Sequence, residues 1–127
     1  MLRILSLSLI ITSFLLSAAA FAGQVSIENA RITPLGGQQY RFDVTLKHQD
    51  SGWDHYADRW EILSPDGVLL ATRTLYHPHV NEQPFTRSLT VTLPSGTSSV
   101  VIRAHDSVHG YAKQTLKVDV PKNNQKL

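Results

Sequence analysis

Between residues 39 and 48 every second side chain is apolar: Tyr40, Phe42, Val44 and Leu46 alternate with Arg41, Asp43, Thr45 and Lys47. Successive side chains of a strand point to opposite faces, so this run can bury one whole face only as an extended strand. The same period recurs in short runs from Gly23 onward, broken by Gly, Pro, Asn and Asp, and no useful stretch carries the helical period. The chain is therefore all-β. Seven strands are predicted, over residues 24–33, 39–48, 55–63, 68–75, 85–93, 99–105 and 112–120. The turns between them are marked by Pro34-Leu35-Gly36-Gly37, Asp66-Gly67 after Pro65, and Pro94-Ser95-Gly96, at the spacing of an antiparallel sandwich.

The ends bound the domain. Arg3, the apolar run from Ile4 to Leu16 and Ala20-Phe21-Ala22 read as a secretory signal peptide over 1–22, cleaved before Gly23. The run is short for a membrane span of roughly 20 residues. Residues 23–121 then form one β-sandwich domain with a single modest core, and 122–127 a polar, frayed tail. The cleaved protein is expected to be periplasmic or secreted, with no membrane span. Formal charge is +2, and +1 without Arg3, which leaves no basic face for nucleic acid. There is no cysteine, so stability must come from packing, and a metal site would have only imidazole, carboxylate and amide or carbonyl donors.

The six histidines carry the main functional signal. With strands alternating in direction, the loops after strands two, four and six share one end of the fold. His48 and His55 flank the first of these loops, His77 and His79 sit in the second, and His105 and His109 flank or occupy the third. All six therefore converge. His77 and His79 project to one side of an extended segment, and a third imidazole from His48, His55, His105 or His109 would complete a minimum set for copper(II) or zinc, copper being slightly favoured by nitrogen and oxygen donors. Asp50, Asp54, Asp106 or Glu82 could add an oxygen. The alternative is a hydrogen-bonded histidine–carboxylate network that orders three loops. Asp58, Arg87 and Asp106 fall on buried parity at the same end, so Arg87 is expected to form a structural ion pair with Asp58 or Asp106.

Other chemistries are weaker. His105-Asp106-Ser107 contains the residue types of a catalytic triad, but adjacent residues on a strand end cannot stack in nucleophile, base and orienter order, so no enzyme is predicted. Trp53, Tyr56, Tyr76 and Tyr111 lie near the histidine end and suit a binding surface for a non-metal ligand or an envelope protein.

Seven strands, with Trp60 in the third facing the core, resemble an immunoglobulin-like or fibronectin-type sandwich, although the two cysteines of antibody domains are absent. The segments Gly52-Trp53-Asp54-His55-Tyr56-Ala57-Asp58-Arg59-Trp60, 75–87 and 103–111 resemble a group of small exported bacterial proteins. That resemblance implies export and a single β-domain, and carries no substrate, cofactor or catalytic assignment.

Overall fold

A computed structural model describes residues 23–122; the signal peptide read over 1–22 and the last five residues of the tail lie outside the described residues. Among the described residues seven strands form: β1 (Ser26–Gly36), β2 (Gln39–Lys47), β3 (Ala57–Leu63), β4 (Leu69–Thr74), β5 (Phe85–Thr92), β6 (Ser99–Asp106) and β7 (Gly110–Asp119). They make two antiparallel sheets, β1-β2-β5 and β4-β3-β6-β7, and all seven expected strands are present. No helix among the described residues is long and apolar enough to cross a membrane.

The alternation that defines β2 sets the core. Tyr40, Phe42, Val44 and Leu46 are buried, while Gln39, Arg41 and Lys47 are exposed. They meet Trp60 and Ile62 of β3, Phe85 and Val91 of β5, and Val100, Ile102 and Ala104 of β6. Burying each large side chain contributes roughly 1.5–3 kcal/mol, and this apolar core replaces the cross-link that a chain without cysteine cannot form. Pro34 is accommodated in β1 because that strand lies at a sheet edge. The β3–β4 hairpin turns at Asp66-Gly67, where Gly67 takes φ +86° and its N–H donates to the Ser64 carbonyl at 2.9 Å. A side chain is disfavoured in that left-handed backbone.

Two features fix the ends of the strands. β1 is bulged at Glu28, and Ile27 beside the bulge pairs with a side chain of β7: its N–H donates to Gln114 Oε1 at 2.7 Å, and its carbonyl accepts from Gln114 Nε2 at 3.0 Å. The segment from Leu75 to Pro84 crosses from one sheet to the other, with a cis peptide between Gln83 and Pro84. The loops after β2, β4 and β6 consequently sit together at one end.

Candidate functional site

The first of these loops follows β2. His48 continues the buried parity of Leu46, and its ring lies fully buried. Its Nδ1 contacts Asp50 Oδ1, and its Nε2 lies 2.7 Å from the Gly23 carbonyl oxygen. Both ring nitrogens therefore face an oxygen acceptor.

Asp50 is the hub of two loops. Its side chain is completely buried. Besides His48, Oδ1 accepts from the Ala57 N–H at 3.0 Å, and Oδ2 accepts from the His79 N–H at 2.7 Å. Gln83 adds a second tie, accepting from the His48 N–H at 3.0 Å and donating to the His79 carbonyl at 2.9 Å. The start of β3 and the 75–84 crossover are thus held by one carboxylate, which the sequence offers only as an optional oxygen donor, and one amide, which no sequence signal marks.

The second hub is Asp106, the last residue of β6 and 0 % exposed. Its Oδ1 is crowded: the backbone N–H groups of Val108 and His109 donate to it at 2.9 and 2.7 Å, and His55 Nε2 and His109 Nδ1 lie at 3.1 and 3.2 Å. Its Oδ2 is buried with no hydrogen-bond partner. Burial pushes this carboxyl up, but the two backbone donors, with His109 and His48 nearby, outweigh it and hold it below its ordinary value. Asp106 is therefore an ionised carboxylate with one oxygen oversupplied and the other bare.

The His55 ring lies between those of His48 and His109, with centroids 4.8 Å from each. One ligand atom from each of His48, His55 and Asp106 falls within 4.8 Å of the others. Ligand atoms around a tetrahedral ion with 2.0–2.1 Å bonds sit about 3.3–3.4 Å apart, so closing the set on an ion needs a movement of up to about 1.5 Å. His55, on the partly exposed loop before β3, is the side chain with room to make it.

The other predicted residues are arranged differently. The His77 and His79 rings are adjacent, 4.6 Å apart, but His77 is exposed with Nδ1 3.1 Å from the Pro78 carbonyl oxygen. His79 is buried, stacked on Phe85 at 3.9 Å, and its Nε2 accepts from Arg87 Nη2 at 2.8 Å. A guanidinium always donates, so His79 is the neutral Nδ1–H tautomer, and that N–H has no partner. Burial first, then Arg87 and His77, push its pKa down. A cation is poorly received beside Arg87, and neither ring belongs to the set around Asp106. His105 pairs instead with Asp58, Nδ1 to Oδ1 at 2.6 Å.

The expected pairing of Arg87 with Asp58 or Asp106 is replaced. Arg87 is only half-buried near the start of β5 and bonds Glu82 of the preceding loop at 3.1 Å, whereas Asp58 and Asp106 are taken by histidines. Of the aromatic residues, Trp53 and Tyr76 are exposed, Trp53 packs edge-on against Tyr56, and Tyr111 lies outside the sandwich core. The Tyr111 hydroxyl donates to Glu61 at 2.9 Å, and its ring lies 3.9 Å beneath the Arg103 guanidinium. Asp54 is exposed and takes no part in either hub.

No family model matches the chain. A protein of Halomicrobium mukohataei named "Putative lipoprotein" is 42% identical over 96 residues, which cover 76% of this chain and 47% of that protein. The chain therefore spans about half the length of this relative.

Proposed function

We propose that this is an exported domain of immunoglobulin-like or fibronectin type that binds a divalent transition metal, copper(II) or zinc(II), through His48, His55 and Asp106, with His109 at the margin. The observation that carries the reading is Asp106: a buried, ionised carboxylate with an unpartnered oxygen, beside two imidazoles whose ligand atoms lie within 4.8 Å. A bare buried oxygen costs free energy unless something satisfies it, and a cation shared with imidazole nitrogens does so. Two imidazoles and a carboxylate suit borderline ions, and copper(II) leads zinc(II) at equal geometry.

Export is supported by the leader-like residues 1–22 and by the name of the relative.

A second reading has its own observation. Each of the six imidazoles contacts a carboxylate, a carbonyl oxygen or a guanidinium, which is what a purely loop-ordering network requires. Titration with copper(II) and zinc(II), followed by the histidine ring resonances, separates the two. Metal binding predicts saturable one-to-one shifts at His48, His55 and His109, at least a ~100-fold loss of affinity in Asp106→Asn, and little change in His77→Ala. No saturation tighter than micromolar defeats the metal reading and leaves the network, with partners to be sought at Trp53, Tyr56 and Tyr76.

A further inference from the structure

Gly23, the residue that follows the predicted cleavage site, is held against the histidine cluster. Its carbonyl oxygen is 2.7 Å from His48 Nε2, and a Cβ built on it would fall 2.6 Å from His109 Cε1. The Gly23 nitrogen is two bonds from that Cβ position, and so lies within about 5 Å of His109 Cε1. The chain beyond it is pinned. The Lys113 N–H donates to Gln24 Oε1 at 3.0 Å, Val25 is 2 % exposed, and Ile27 is clamped by Gln114. The position of Gly23 at the site is thus fixed by β7 and by β1.

We propose that cleavage after Ala22 creates a ligand: the free α-amine of Gly23, acting with its own carbonyl oxygen, completes the metal site of His48, His55 and Asp106. The inference rests on the metal reading above and adds the processing step to it. While Gly23 is joined to Ala22, its nitrogen lone pair is delocalised into the peptide bond and is a poor ligand. Hydrolysis of that bond frees an amine, of which about a tenth to a sixth is neutral at pH 7 for an ordinary pKa of about 7.7–8.0. The amine nitrogen and carbonyl oxygen of one glycine close a five-membered chelate ring, and that oxygen already sits beside His48 Nε2. Because ligands bind in their deprotonated forms, metal binding releases protons to solvent.

The unprocessed chain thereby offers three side-chain ligands and the Gly23 carbonyl oxygen, while the processed chain adds the amine nitrogen. A set of five nitrogen and oxygen donors matches a tetragonal copper(II) site, or a zinc(II) ion expanded to five-coordination. Only the exported, trimmed protein would hold its ion tightly, so the precursor would be spared from scavenging metal before export. Glycine fits this position because any side chain there would drive into the His109 ring.

The test expresses the full chain with export and identifies the first residue of the processed protein by mass spectrometry. Its affinity for copper(II) and zinc(II) is compared with that of a variant carrying one alanine inserted between Ala22 and Gly23. Ala20-Phe21-Ala22 still precedes the cleavage point in this variant, and the Gly23 nitrogen becomes a peptide amide. The expected result is a parent starting at Gly23, an affinity at least about 10-fold weaker in the insertion variant, and one nitrogen fewer in the hyperfine pattern of its copper(II) resonance spectrum. Equal affinities and equal nitrogen counts would overturn the amine ligand while leaving the side-chain site standing. Absence of binding to either protein would overturn both readings, and a parent that starts at any other residue would overturn this one alone.

Discussion

Asp50→Ala removes a single buried side chain and leaves three donors facing nothing: the N–H groups of Ala57 and His79 and Nδ1 of His48. A buried donor without a partner costs about 1–3 kcal/mol, which gives an upper range of roughly 3–9 kcal/mol. Removing the carboxylate also relieves the cost of keeping a charge away from water, and the opened space admits solvent to part of the loop. A net loss of about 3–5 kcal/mol is expected. For a domain of this size each kcal/mol moves Tm by about 4–8 °C, so the midpoint should fall by roughly 15–30 °C. Because total stability is typically 5–15 kcal/mol, Asp50→Asn is the companion variant: it keeps one acceptor oxygen and turns an amide donor toward the other N–H, for a loss of about 2–3 kcal/mol. Urea denaturation with an unchanged m-value measures both, and amide exchange at Ala57 and His79 should accelerate first. An Asp50→Ala protein within about 1 kcal/mol of the parent would refute the hub.

Three further outcomes follow from the same geometry. His79 has its folded pKa pushed below the ordinary 6.5, so the unfolded chain takes up its proton first; stability held above pH 6.5 is lost as pH falls through the folded value. Its ring should titrate below 6.5 and show the Nδ1–H tautomer by nitrogen NMR, and a midpoint above 6.5 would contradict the Arg87 contact. Arg87→Ala should cost only about 1–2 kcal/mol, measured by denaturation, since it strands His79 Nε2 but breaks a solvent-exposed ion pair; a loss above about 4 kcal/mol, in the range of a broken buried pair, would restore a buried role. At Glu61, burial pushes the carboxyl up, yet hydrogen bonds from Arg103, Tyr111 and Arg59 outweigh it and hold it below 4.5. Glu61→Gln should therefore lose about 2 kcal/mol at pH 7 and flatten the acid limb of the stability curve below pH 4.5, where an unaltered curve would count against the cluster.

The strands were legible because each carries its own period and its own turn signal. That the three histidine-bearing loops share an end was legible too, because alternating strand direction decides it, yet only His48, His55 and His109 come together, beside Asp106. Contacts among those loops were not. Asp50 is buried by donors seven and twenty-nine residues away, and nothing in Gln49-Asp50-Ser51 distinguishes it from an ordinary turn aspartate. Glu61 was passed over because it lies on the outward face of β3, where a carboxylate is usually solvated; here Arg59, Arg103 and Tyr111 close over it. The reading of Arg87 failed for the converse reason. Its inward parity was read correctly, but at a strand end a long side chain can turn to a partner in the preceding loop.

The Gln114 side chain, set against the N–H and carbonyl of Ile27, leaves the opening of β1 with its polar groups already answered. A second copy of the molecule approaching along that margin finds the rung at Ile27 already taken. Its amide thus acts as a stopper against edge-to-edge growth at the bulge, a useful property for a small β-domain without cysteine.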